Sequence, residues 1–245
     1  MTAAGEPVIV VPARRASARL PDKLLLAESG RAVLAHTIER CLAAQVPARV
    51  IAAVDGPELA AIAAAAGAEV EFTDPDLPSG TDRVLAALAR RPEAQWIVNV
   101  QGDEAEIEPE AIDALFGVLA AGGTAATLAA PFPDELDPTD PAAVKVVADL
   151  QGRALYFSRS LVPYQRKPGA AAPKLHVGVY AFTRSTLERF GSRVPTPLEL
   201  AEGLEQLRLL EHGENLAVLD WPHAFASINT RADYDAFLRR QSQRT

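Results

Sequence analysis

Apolar positions along the chain alternate between two rhythms. Pro7 to Val11 is a short run rich in β-branched residues, whereas Val33 to Ala44 repeats its apolar positions at helical spacing. The exchange continues, predicting strands over Arg49–Val54, Glu69–Phe72 and Trp96–Val100 and helices over Glu58–Ala66 and Thr81–Arg91. A helix over Pro109–Ala121 and a strand over Thr124–Ala130 follow. Strands and helices in such alternation predict an α/β fold, a Rossmann-like open and mostly parallel sheet flanked by helices, with ligands at the carboxyl ends of the strands.

After residue 130 the rhythm changes. Val144–Phe157 reads as a hairpin turning at Gln151 and Gly152, Tyr164–Pro173 as a mobile loop, and Lys174–Phe182 as a strand. An acidic-rich helix is predicted over Pro197–Gly213, strands near Leu216 and Phe225, and a helix from about Arg231 to Arg240. The 245 residues suit a single domain, 1–245, with a small β excursion at about 140–183.

Composition narrows the picture. With 49% hydrophobic and 23% charged residues the chain is neither disordered nor membrane-like. Its apolar runs are strand-sized and its N-terminus lacks a basic region followed by a long apolar run, which predicts a cytoplasmic protein with no membrane partner. A formal charge of −8 argues against nucleic acid as a partner, so a phosphorylated substrate needs a local basic site. Cys41, the only cysteine, excludes an internal disulfide and a thiolate zinc cluster, and its helical apolar setting predicts burial.

A local basic site is present at Pro12–Lys23 (PARRASARLPDK), where Arg14, Arg15, Arg19 and Lys23 follow the first strand in a loop restrained by Pro12 and Pro21. Guanidinium groups and exposed N–H groups at a strand end can neutralise a triphosphate and its transition state. Walker A and G-x-G-x-x-G patterns are absent. In Asn99–Glu104 (NVQGDE), Gly102 is expected to let the backbone approach a ligand, and Asp103 emerges at the strand end as a ligand for a hard cation, the alternative being that Asp103 or Glu104 caps a helix. Ser79, Gly80, Thr81 and Arg83 run into a helix where they can read a base edge, although Ser79 could equally cap that helix. Asp55 could hold a ribose or simply end its strand. Glu199, Glu202 and Glu205 share one helical face, with Glu199 expected in solvent, and His36, His212 and His223 are read as structural.

The first loop resembles that of the CMP-KDO synthetases (3-deoxy-manno-octulosonate cytidylyltransferases), a family of sugar nucleotidyltransferases in which PAR-x-x-S-x-R-L-P-x-K recurs. The resemblance continues in family order through DLPSGTDRV at 76–84, NVQGDE at 99–104, AVKVV at 143–147, ALYFSR at 154–159, HVGVY at 176–180 and PLELAEGLEQLR at 197–208. It spans nearly the whole chain. It implies the nucleotide-diphospho-sugar transferase type of fold and transfer of CMP from CTP to the anomeric hydroxyl of 3-deoxy-D-manno-octulosonate (KDO), releasing pyrophosphate, for lipopolysaccharide biosynthesis. Magnesium and a homodimer built on Val144–Phe182 are implied as well.

Carried over residue by residue, the resemblance implies catalytic roles for Arg14, Arg19, Lys23 and Asp103. It implies CTP contacts from Pro12, Ala13, Arg14, Lys23, Asp55, Ser79, Gly80, Thr81, Arg83 and Gln101, and sugar contacts from Arg19, Gln101, Arg159, His176, Tyr180, Glu205 and Gln206. The alternative for His176 is a hydrogen-bonded core histidine, and Tyr180 could equally be core. Metal ligation falls to Asp103 and Asn229, but here Ser227–Thr230 reads SINT where the family has GVDT. An amide oxygen still coordinates magnesium while adding no negative charge. Ala105 and Ala142 also depart from the usual Pro and Asn. The alternatives are a related acidic sugar, such as 8-amino-KDO or a sialic acid, and a catalytically silent homologue.

Overall fold

The structure is a computed structural model that describes residues 5–17, 19–167 and 169–243. It forms two compact units, one of Met1–Phe116 with Phe225–Thr245 and the other of Gly117–Ala224. The stretch 140–183 lies inside the second.

In the first unit, β1 (Glu6–Ala13), β2 (Arg49–Val54), β3 (Glu69–Phe72) and β4 (Ala94–Asn99) lie in the order β3-β2-β1-β4, all parallel. Ile9, Val10 and Val11 on β1 are all fully buried, so both faces of this strand are covered. That explains why it reads as an unbroken apolar run rather than an alternation. Three helices follow the strands, α1 (Val33–Leu42), α2 (Pro57–Ala65) and α3 (Gly80–Leu88). On α1 the buried stripe is Val33, Leu34, Ile38 and Cys41, and burial pushes the Cys41 thiol pKa up, leaving an inert thiol. A further helix, α4, covers Pro109–Ala120.

The second unit holds β5 (Ala125–Pro131), the hairpin of β6 (Lys145–Ala148) and β7 (Ala154–Ser158), β8 (Lys174–Thr183) and β9 (Ala217–Asp220). Strand β5 pairs antiparallel with β8 and parallel with β9, and β6 pairs antiparallel with β7 and β8. The hairpin turn is held by the Asp149 carboxylate, which accepts from Gln151 N and Arg153 N at 2.9 Å each.

Three expectations need correction here. Pro197–Gly213 is not one helix but α6 (Pro197–Glu202) and α7 (Leu207–Glu211), because Gly203 takes a left-handed φ of 62° that ends the first segment. Glu199 is buried rather than solvated: it closes a capping box with Thr196 and binds Arg208, whose Nε donates at 2.8 Å and whose guanidinium lies 4.3 Å from the Phe190 ring centroid. A helix α5 (Arg184–Ser192) was not expected, and Phe225 lies in no strand. The final helix, α8 (Arg231–Ser242), belongs to the first unit, where Tyr234 Oη accepts from Glu28 N at 2.7 Å.

Candidate active site

Parallel packing of β1 beside β4 brings the loops after both strands together. Gly102 N donates to Pro12 O at 3.3 Å, and a Cβ at Gly102 would sit 3.2 Å from both that oxygen and Leu24 Cδ1. The glycine therefore lets the first loop pack closely here, whatever further room it gives a ligand. This closeness sets Asp103 against Lys23, whose ammonium bonds Asp103 Oδ2 and lies 3.4 Å from Asn229 Oδ1. Arg19 Nη2 donates to the same amide oxygen at 2.8 Å. Lys23, Asp103, Asn229 and Arg19, four residues singled out from the sequence, thus meet.

Two residues not foreseen hold this corner in place. Ser227 Oγ donates to Glu104 Oε1, and Ile228 N donates to Asp103 O at 3.1 Å, so the segment bearing Asn229 is tied to the one bearing Asp103. Glu104 is 4% exposed, and burial, followed by the neighbouring Asp103 charge, pushes its carboxyl up to about 8. Asn229 immediately precedes the N-cap of α8, where Asp233 Oδ2 accepts from both Asn229 N and Thr230 N.

Among the described residues no three His, Cys, Asp or Glu side chains gather as a metal cluster. Nevertheless, Asp103 and Asn229 aim oxygens at one cation, the Lys23 ammonium. One carboxylate and one amide oxygen suit a hard dication whose other ligands come from phosphates and water.

Of the residues expected at the nucleotide, Arg14 and Asp55 line a cavity of about 880 Å³ with Arg15, Asp22 and Glu58. Asp55 accepts from Arg15 N at 3.0 and 3.2 Å, which fixes the loop. The Arg15 side chain, counted from the sequence among the loop cations that could face a triphosphate, binds Asp22 and Glu58 at 2.8 Å each. Pro12 and Ala13 end β1, fully covered. Ser79 is the N-cap of α3, accepting from Asp82 N at 3.1 Å, and Gln101 places its amide beside Gly80. Thr81 lies in the first turn of that helix. Arg83 is 2% exposed, bonds Thr73 through Nη1, and leaves Nη2 buried with no hydrogen-bond partner among the described residues. Burial lowers its pKa, opposed by Asp55 and reinforced by Arg14.

The residues expected at the sugar that belong to the second unit are Arg159, His176, Tyr180, Glu205 and Gln206. Arg159 gives three donors to backbone carbonyls, Nε to Glu202 at 2.6 Å, Nη1 to Pro141 at 2.9 Å and Nη2 to Gly203 at 3.3 Å. Glu202, not foreseen, receives Ser158 Oγ at 2.7 Å and Arg159 N at 2.9 Å. His176 and Tyr180 are half-buried neighbours with ring centroids 5.4 Å apart. Burial pushes the imidazole down to about 3 and the Tyr180 phenol well up, the latter with help from Glu205. Gln206 is buried at the start of α7.

The sequence profile of the cytidylyltransferase family matches residues 8–216. The 3-deoxy-manno-octulosonate cytidylyltransferase of Anaeromyxobacter sp. (strain Fw109-5) is 43% identical over 93% of both chains. That of Synechococcus elongatus is 42% identical over 96% of this chain and 98% of its own. A CMP:2-keto-3-deoxy-manno-octonic acid synthetase solved in complex with CTP superposes with a TM-score of 0.92 at 34% identity, covering 98% of this chain and 100% of that one. Fold and sequence together define a nucleotide-diphospho-sugar transferase. More narrowly, the chain belongs to the 3-deoxy-manno-octulosonate cytidylyltransferase family.

Proposed function

We propose that this enzyme transfers CMP from CTP to the anomeric hydroxyl of KDO. The hydroxyl oxygen attacks the α-phosphorus in line, a phosphorus–oxygen bond forms, and the bond to the departing pyrophosphate breaks. The observation that carries this reading is the meeting of Lys23, Arg19, Asp103 and Asn229 in a chain that matches these cytidylyltransferases over nearly its full length.

Arg14, Arg19 and Lys23 neutralise the triphosphate, and Asp103 with Asn229 would hold magnesium, which supplies further positive charge to the phosphates when bound. Pro12 and Ala13 form the floor of the first loop. Asp55 supports that loop through Arg15 N, and Ser79, Gly80, Thr81 and Gln101 line the entry to α3 where the base is read. Arg83 supports a base contact because its buried Nη2 has a hydrogen left to give, which suits an acceptor on the pyrimidine. Arg159, His176, Tyr180, Glu205 and Gln206 recognise the acidic sugar. The two Arg159 donors not given to backbone carbonyls suit its carboxylate.

We further propose a homodimer through the β6–β7 hairpin region, where Leu150, Leu155 and Tyr164 are 100%, 59% and 89% exposed. No described helix is long and apolar enough to cross a membrane, and the use of CTP favours the cytoplasm. A pyrophosphate-release assay with CTP, magnesium and a panel of acidic sugars tests the assignment. KDO should be turned over fastest. A higher kcat/KM for a sialic acid or an amino-substituted octulosonate would reassign the acceptor, and no turnover with any sugar would mean a silent homologue.

A further inference from the structure

Strand β8 carries two extra residues against β5, because Thr127 pairs with Tyr180 and Leu128 with Val177. Gly178 and Val179 are left unmatched, and the wholly buried Thr127 side chain reaches the carbonyls of Val177 and Val179. Its Oγ1 lies 2.8 Å from Val179 O, 3.2 Å from Val177 O and 3.1 Å from His176 Nε2. A hydroxyl has a single proton and the two carbonyls only accept, so its proton goes to a carbonyl, and Val179 O is the nearer. The contact with His176 is then a hydrogen bond only if Nε2 carries the hydrogen. The opposite arrangement would turn the hydroxyl's lone pairs on both carbonyl oxygens.

We infer that Thr127 is a positioning residue that holds His176 as its Nε2–H tautomer, so that the bare Nδ1 accepts a hydrogen bond from a hydroxyl of the substrate. The ring is oriented as well as protonated: Phe157 meets it edge-on with centroids 5.0 Å apart, and Tyr180 flanks it at 5.4 Å. No described residue hydrogen-bonds Nδ1. Desolvation keeps the imidazole neutral down to about pH 3, so the acceptor lone pair persists across the working range. An acceptor at this point favours a hydroxyl and disfavours a carboxylate or a deoxygenated carbon. The inference rests on the assignment of the acceptor as a polyhydroxylated acidic sugar.

The experiment uses the full-length protein with 15N-labelled histidine. Long-range proton–nitrogen correlation spectra, with His176 assigned by its loss in His176→Gln, should show a protonated Nε2 and a bare Nδ1 in the parent. A protonated Nδ1 would overturn the inference. Thr127→Val should remove this tautomer preference and raise KM for KDO about 10-fold while KM for CTP stays put, and Thr127→Ser should restore both. An unchanged sugar KM in a Thr127→Val protein whose tautomer has shifted would break the link to recognition. If the parent turns over no acidic sugar, the functional assignment fails on its own, and the spectrum still decides what Thr127 does.

Discussion

The Lys23 corner and the His176 corner achieve position by opposite means. At Lys23, charge is held mostly by charge: the ammonium takes Asp103 and Arg15 takes Asp22 and Glu58, while Arg19 takes the neutral Asn229 amide, all before any ligand arrives. At His176 the groups are neutral and are fixed by aromatic packing and one buried hydroxyl. A basic loop in an acidic protein is thus a set of matched pairs, and a triphosphate must exchange with those pairs. The neutral corner needs no such exchange, but depends on the packing beneath it.

The largest single loss should come from the buried ion pair that braces α6 against α7 in the second unit. Arg208→Ala would strand the Glu199 carboxylate, whose side chain is 8% exposed, and should cost about 3–5 kcal/mol, read as a lowered Tm and weakened sugar binding through α6 and α7. A Tm within a degree or so of the parent would show that this part of the fold does not depend on its ion pair.

Next comes Asp103→Ala, expected to lower kcat about 10²–10³-fold or more in pyrophosphate release with an unchanged circular dichroism spectrum. Near-parent turnover would remove Asp103 from the reaction. It would also mean that matched charge at Lys23 is merely structural.

A smaller effect separates the corners by pH. Burial lowers the His176 pKa from 6.5 to about 3, so between these values the unfolded chain binds a proton that the folded chain does not. The histidine's contribution to stability is therefore full above about pH 6.5 and is lost as pH falls towards 3. His36, also lowered chiefly by burial, adds to the same limb, so the relevant comparison is His176→Gln against the parent in urea melts from pH 7 to 5. The variant should show the shallower slope. Equal slopes would mean that His176 titrates as freely in the folded protein as in the unfolded one.

The smallest change is Asn229→Asp, which should keep turnover and reduce the magnesium needed for half-maximal rate, since a carboxylate attracts a hard dication more strongly than an amide. Arg19 and Lys23 already face this oxygen, so the added charge would be shared with them. An identical magnesium dependence would leave Asn229 as a partner of Arg19 and nothing more.

Strand bounds such as Arg49–Val54 and Glu69–Phe72 were legible because β-branched residues and turn signals mark them locally. Helix α5 was passed over, although Thr186, Leu187 and Phe190 in RSTLERFGS fall on one helical face. The Pro197–Gly213 pattern concealed a break that a single Gly203 φ imposes. At the site, residue types were readable but partnerships were not: Arg15 meets Asp55 and Glu58 some 40 positions away, and Ser227 meets Glu104 across 123. The one available hint to Thr127 was a lone hydroxyl in the strand AATLAAP, where burial demands that it find partners.

Gly102 also sets a rule for anyone who would redesign this protein. With Pro12 O and Leu24 Cδ1 each 3.2 Å from where a side chain would begin, the loops after β1 and β4 share a tight joint. Diversifying either loop in isolation would select mostly against this joint and seldom for a new substrate. A productive library has to vary 12–24 and 101–104 together, treating them as one machined part.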